Sequence, residues 1–188
     1  MSDDGGIPLP GKRRNPDRIQ EMIRVDHAGE YGAVAIYRGQ RAIFDKMPHK
    51  ARIANQLEEM EADEQAHLDA FDDLILQHKA RPTALAPIWN VAGQALGAAT
   101  ALMGERAAHA CTEAVESVIE QHYASQITEL RAMGEDELAD LFTKFREEEI
   151  AHHDLAVEEG ARDAAGYPLL SAFIKTGCRT VIKIAEKI

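Results

Sequence analysis

The chain has 188 residues, with 21 basic against 32 acidic side chains and a formal charge of −11. That is long enough for one sizeable core, and the acidic balance argues against a nucleic-acid surface, which needs clustered Lys and Arg. Two cysteines, Cys111 and Cys178, are too few for a disulfide framework and too far apart in sequence for a compact thiolate metal site, so both are expected as reduced packing residues.

Residues 1–16 contain three Gly, three Pro and acidic side chains but no apolar run. They read as a mobile arm, unlike a secretory signal or a transit peptide, which leaves residues 17–188 as a single domain. From Asp17 onward, Ile19, Met22, Ile23, Asp26, Glu30, Ala33, Val34 and Tyr37 recur at three- and four-residue steps. The spacing predicts an amphipathic helix to about Asp45, with Glu30 inside its buried stripe. Met47 and Pro48 break the run. A second helix then carries Ile53, Leu57, Met60, Glu64, His67, Phe71, Leu74 and His78, the pattern of a bundle seam.

Between Pro82 and Gly104 no residue is charged, a stretch long enough in principle to span a bilayer. Its Ala and Gly content, Pro87, Asn90 and Gln94 argue instead for a short helix, partly buried or lying on a membrane, with Gly93 and Gly97 spaced for close helix contact. A fourth helix, Glu105 to Met133, repeats the seam through His109, Thr112, Glu116, Ile119, Tyr123, Ile127 and Leu130, and Gly134 ends it. A fifth, Asp136 to Ala161, runs Leu138, Phe142, Phe145, Glu149, His152 and Ala156. After the break at Gly166-Tyr167-Pro168, the segment Leu169 to Ile188 is apolar on one side and carries Lys175, Arg179, Lys183 and Lys187 on the other. No strand-like alternation interrupts this order, so the fold expected is all-α, a ferritin-like four-helix bundle with two additional helices.

The seams contain an internal repeat. Glu64 and His67 recur as Glu149 and His152, and a lone Glu precedes each pair, Glu30 by 34 residues and Glu116 by 33. Side chains three residues apart on a helix lie about 5–6 Å apart at Cβ, so each Glu-x-x-His can close on one cation. Two helices giving a Glu and two giving a Glu-x-x-His form the ligand set of di-iron carboxylate bundles. By analogy with that class, Glu64 and Glu149 bridge two metals while Glu30 with His67 and Glu116 with His152 complete the ends. Four carboxylates and two neutral imidazoles are balanced by two divalent cations, which removes the cost of burying them. Oxygen ligands without thiolate suit iron or manganese with open positions, and O₂ is the natural third party. The bland alternative, solvated surface charge, fails on six matching positions in four seams. Asp26, His27, His122 and Tyr123 are candidates for partners that hold the ligands in orientation or relay charge, and each can also be read as a satisfied core residue. A ferritin-like iron-binding or storage protein would share the ligands but needs a cage. A rubrerythrin-type peroxidase needs a four-cysteine module that two distant cysteines cannot form.

RVDHAGEYGA from Arg24, RPTALAPIWNVAG from Arg81, ALGAATALMG from Ala95, ACTEAVESVIEQHY from Ala110, FREEEIAHHD from Phe145 and GCR from Gly177 closely resemble the demethoxyubiquinone hydroxylase family, the di-iron monooxygenases of ubiquinone biosynthesis. All six family ligands match Glu30, Glu64, His67, Glu116, Glu149 and His152; Gln121 stands where some relatives have His. The resemblance implies two iron ions, O₂ as co-substrate, and a prenylated demethoxyquinone or demethoxyquinol as substrate. It implies NADH as ultimate reductant, although the chain has no Gly-x-Gly-x-x-Gly fingerprint. Electrons could then enter through a reductase, directly, or through the quinone. It also admits other ubiquinone-biosynthesis proteins, including a lipid-binding accessory protein, and a homo-oligomer as partners. The uncharged stretch and the basic amphipathic tail are expected to dock peripherally on anionic lipid at the cytoplasmic face of a bacterial inner membrane, with Trp89 at headgroup level.

Overall fold

Helix limits follow the chain's breakers. The structure, a computed structural model, describes residues 15–188 as six long helices: α1 (Asn15–Phe44), α2 (Ala51–His78), α3 (Ala86–Leu102), α4 (Glu105–Met133), α5 (Asp136–Glu158) and α6 (Tyr167–Ala185). No strand occurs among the described residues. α1 begins two residues before the expected Asp17, because Pro16 falls in the first turn, where an absent N–H costs no helical hydrogen bond. The rest of the expected arm lies outside the described residues. α5 stops three residues short of Ala161, where Gly160 takes a left-handed φ of 85° and turns the chain. Gly104, at φ 111°, reverses the chain between α3 and α4.

The hairpin of α1 and α2 faces the hairpin of α4 and α5, and the apolar seams enclose two core clusters. Ile23, Phe71, Tyr123, Phe142 and Phe145 fill one end; Phe44, Ile53, Leu57 and Met60 fill the other. On every one of the four helices the predicted metal ligand lies between the residues given to these two clusters, so the bundle is greasy at both ends and polar at its waist.

The remaining two helices clothe the outside. α3 lies along α1, and the glycines expected at close contact are there: a Cβ on Gly97 would land on the Ile36 carbonyl, and one on Gly93 would lie 2.9 Å from the Gly32 carbonyl oxygen. α6 lies along α4 and is tied by polar contacts. Lys175 Nζ donates to Glu113 at 3.1 Å, and Arg24 donates to the Ala185 and Glu186 carbonyls, each at 2.9 Å. Two expectations are corrected here. Lys175 leaves the basic stripe, because the buried Glu113 carboxylate draws it inward; Arg179, Lys183 and Lys187 remain exposed. Trp89 is turned inward against Val25, Ala28 and Ala185, because its large apolar ring finds a partner in the notch where α1 meets α6. No helix of the described residues is long and apolar enough to cross a membrane.

Gly97→Ala is expected to lower stability by about 1–3 kcal/mol, since backbone must move to admit the methyl group. Gly32→Ala, where an added Cβ meets nothing within 4 Å, is expected to raise it by roughly 0.5–1 kcal/mol through helix propensity. Thermal or urea unfolding of the two variants checks these opposite signs.

Candidate metal centre

At the waist of the bundle, Glu30 from α1, Glu64 and His67 from α2, Glu116 from α4, and Glu149 and His152 from α5 are all buried. They form two groups of four. Ligand atoms of Glu30, Glu64, His67 and Glu149 lie within 4.8 Å of one another, as do those of Glu64, Glu116, Glu149 and His152. Glu64 and Glu149 belong to both. His67 Nδ1 is 3.2 Å from Glu149 Oε1 and 3.6 Å from Glu30 Oε2; His152 Nδ1 is 3.3 Å from Glu64 Oε1 and 3.6 Å from Glu149 Oε2. Both oxygens of Glu64, both of Glu149 and Nδ1 of each histidine have no hydrogen-bond partner among the described residues. Buried polar atoms rarely stay unpaired. Six of them converging, with hard oxygen donors and two imidazoles, fit a pair of divalent ions such as iron or manganese.

The electrostatics agree with that fit. Burial raises the Glu30 and Glu116 carboxyls well above their ordinary range. Burial would raise Glu64 too, but the His152 and His67 imidazoles outweigh it and bring Glu64 down to about 2. Burial would lower His152, yet Glu149 and Glu64 push it up to about 11, and His67 is raised in the same way by Glu149, Glu30 and Glu64. Without cations, protons therefore hold the cluster together.

Around the ligands the repeat continues in Asp63, Glu148 and Tyr37, which the periodicity alone did not single out, and in Tyr123, which is among the candidates. His67 Nε2 bonds Glu148 at 2.8 Å, and His152 Nε2 bonds Asp63 at 3.2 Å. Asp63 and Glu148 each stand one residue before the shared Glu of their own helix and hold the imidazole of the opposite helix. An N–H fixed there by a carboxylate leaves Nδ1 free for a metal. Tyr37 donates to Glu116 at 2.8 Å and Tyr123 to Glu30 at 2.5 Å, and each tyrosine lies seven residues beyond the Glu on its own helix. The offsets −1 and +7, seen twice, were the available signal. Of the other candidates, Asp26 lies one layer out, 3.1 Å from His122 Nε2 and accepting from Gln126 Nε2 at 3.1 Å. His27 is not brought to the centre: its Nε2 bonds Asp72 at 2.9 Å and ties α1 to α2.

An apolar groove runs along the outer seam of α1 and α4, walled by α3 and α6. Gly29, Gly32, Trp89, Phe173, Gly177 and Val115 are among its lining, and it encloses about 220 Å³. Gly29 and Val115 immediately precede Glu30 and Glu116, so two of the six ligands are next in sequence to residues that line the groove. Leu169, Phe173, Ile88 and Val91 are exposed on its walls. Cys111 and Cys178 are free thiols packed beside it.

Residues 17–185 match the family model described as ubiquinone biosynthesis protein COQ7. The 3-demethoxyubiquinol 3-hydroxylase of Rhodospirillum rubrum is 44% identical over 182 residues, covering 96% of this chain and 83% of that one. The human NADPH-dependent 3-demethoxyubiquinone 3-hydroxylase is 43% identical over 175 residues, covering 90% and 78%. The Saccharomyces cerevisiae 5-demethoxyubiquinone hydroxylase is 36% identical over 185 residues, covering 90% and 78%.

Burial raises the Glu30 and Glu116 carboxyls, and Glu149 with its neighbours raises His67 and His152, so these groups hold protons more tightly than usual in the metal-free protein and cations must compete with those protons. Titration of ferrous iron into apoprotein is expected to release protons, and the apparent affinity to weaken as pH falls from 8 to 6. Calorimetry in buffers of different ionisation enthalpy measures this; binding without proton release would contradict the charge assignment.

Proposed function

The chain belongs to the COQ7 family of ubiquinone biosynthesis proteins, and from that premise we propose that it hydroxylates the ring of a prenylated demethoxyquinone or demethoxyquinol with O₂ at a pair of iron ions. The observation that carries this reading is the convergence of six unpartnered ligand atoms of Glu64, His67, Glu149 and His152 in a bundle whose other two ligand helices, α1 and α4, also line an apolar groove. Glu30 with His67 would hold one ion, Glu116 with His152 the other, and Glu64 with Glu149 both. When bound, the ions supply the binding and reduction of O₂ and the transfer of one oxygen atom to the ring. Electrons come from a reduced nicotinamide. NADH is the donor expected from the sequence, whereas the name of the human relative specifies NADPH.

The chain's own residues supply position and dryness. Asp63 and Glu148 orient the imidazoles; Tyr37 and Tyr123 hold the terminal carboxylates at one oxygen each, which leaves the second oxygen of each for an ion. The groove accepts a flat ring and an isoprenoid tail by excluding water from both, and its four glycines, Gly29, Gly32, Gly93 and Gly177, leave room that side chains would fill. A storage protein has no use for such a groove.

Substrate of this kind lives in a bilayer. In this reading the protein docks on the anionic cytoplasmic face of a bacterial inner membrane, with Leu169, Phe173, Ile88 and Val91 in the interface and Arg179, Lys183 and Lys187 near lipid headgroups, each cation contributing about 1 kcal/mol.

Purified protein is expected to hold two irons per chain and to place oxygen from isotopically labelled O₂ in the product ring, while Glu149→Ala loses both metal and product. Label arriving only from water, or iron accumulating far beyond two ions, would overturn the hydroxylase reading. In vesicle flotation, binding is expected to need anionic lipid, to weaken with salt, and to fall when Arg179, Lys183 and Lys187 all become Gln. Equal flotation of that variant would remove the docking surface.

A further inference from the structure

The two ends of the centre carry the same ligands but different surroundings. Asp26 stands four residues before Glu30 as Thr112 stands four before Glu116, and Gln126 stands ten after Glu116 as Gln40 stands ten after Glu30. At the first end these side chains find one another: Gln126 donates to Asp26, and His122 lies 3.1 Å from the same carboxylate, although Asp26 Oδ2 and Gln126 Oε1 are left without a hydrogen bond. At the second end their counterparts do not. Gln40 Nε2 donates to the Ala108 carbonyl at 3.1 Å. Gln40 Oε1, Thr112 Oγ1 and both ring nitrogens of His109 have no hydrogen-bond partner among the described residues.

These orphans lie close together. His109, Thr112 and Glu116 fall on one stripe of α4, and none of the three is more than 1% exposed. The Ala108 carbonyl that holds Gln40 lies one helical turn from Thr112. Tyr37, one turn before Gln40 on α1, donates to Glu116. Beyond His109 the bundle end opens into a polar cavity of about 620 Å³, lined by Lys50, Arg52, Glu105 and Glu159 among others. Arg52 pairs with both of these glutamates and Lys50 with Glu105, and the charges of Glu159, Arg52 and Glu105 all act on the His109 ring. Polar atoms buried without a protein partner are what internal water satisfies, each water needing two to four such partners. A charged cavity, then a row of orphaned donors and acceptors, then a tyrosine on a metal ligand form a line through otherwise apolar packing.

We propose that His109, Thr112 and the Gln40 amide hold a file of ordered water that carries protons from the charged cavity to the Tyr37 and Glu116 side of the metal centre. The proposal rests on the hydroxylase reading for its purpose. In that reaction one oxygen atom of O₂ becomes the ring hydroxyl in place of hydrogen and the other leaves as water, which consumes two electrons from the reduced nicotinamide and two protons. The apolar groove cannot deliver the protons. His109 can pass them on without acquiring lasting charge: burial lowers its pKa, so the ring is neutral, one nitrogen accepts a proton and the other releases one. The distance from His109 to Glu116 is roughly 10 Å along the helix, a span that Thr112, the Tyr37 hydroxyl and one or two waters can bridge.

Iron-loaded full-length protein and its His109→Leu, His109→Gln and Thr112→Val variants test this by crystallography and by turnover. The parent is expected to show ordered water within hydrogen-bond distance of His109, Thr112 and Gln40. His109→Leu is expected to keep its iron but to lose turnover on the order of ten- to a hundredfold, to release more hydrogen peroxide per O₂ consumed, and to show a larger solvent deuterium isotope effect. His109→Gln, which can still donate and accept, should recover part of each loss. If His109→Leu fails to fold, Thr112→Val decides by the same measurements. A dry His109 in the parent crystal, or variants with unchanged turnover and isotope effect, would overturn the proposal. A parent with ordered water but no iron-dependent hydroxylation would instead sink the hydroxylase reading.

Discussion

Four carboxylates buried within a few ångströms of one another are the constraint from which the rest of this fold follows. Each loses its solvation and repels its neighbours, and in a helical bundle no backbone donor is left to compensate it. Two imidazoles, two tyrosine hydroxyls and a set of protons hold the cluster in the absence of cations. Divalent ions do the same work with less compromise, because their charge matches that of the ligand set. The large aromatic and aliphatic plugs above and below the waist confine the polar region to the middle of the bundle.

The repeat is what makes so polar a core foldable. The contacts that cross between the hairpins at the ligands come in exchanged pairs: tyrosine to opposite glutamate, acid to opposite imidazole. A hairpin that satisfies its partner is thereby satisfied by it, so neither half can bury its own carboxylates alone. The polar waist therefore selects one pairing of hairpins out of those that apolar seams by themselves would allow.

Much of this was legible before any coordinates. The seams of α1, α2, α4 and α5 announce themselves by three- and four-residue steps, and Glu64 with His67 is conspicuous because a carboxylate and an imidazole have no business in the middle of Leu57, Met60 and Phe71. Residues that act across helices were harder to read. Asp63 and Glu148 look like ordinary solvated positions on their own helices, and only the approach of the opposite helix gives them work. Tyr37 and Tyr123 both lie on apolar stripes, where a ring is explained by packing before its hydroxyl is considered. Lys175 fits an exposed basic stripe, yet Glu113, two helices away in the chain, is its partner. Periodicity assigns a side chain to a face; it does not say what stands opposite.

The two walls of the groove are built by different means, and this has a mechanical consequence. α3 is seated on α1 by backbone contact at Gly93 and Gly97, where nothing flexible intervenes and nothing can be exchanged for water. α6 is pinned instead by the end of a lysine side chain at Glu113 and by Arg24 at its last carbonyls, contacts made through long side chains and not by backbone against backbone. The groove thus has one fixed jaw and one compliant jaw. Any widening of the groove would fall to α6, while the register of α3 against α1, and with it the position of Glu30, would stay as it is.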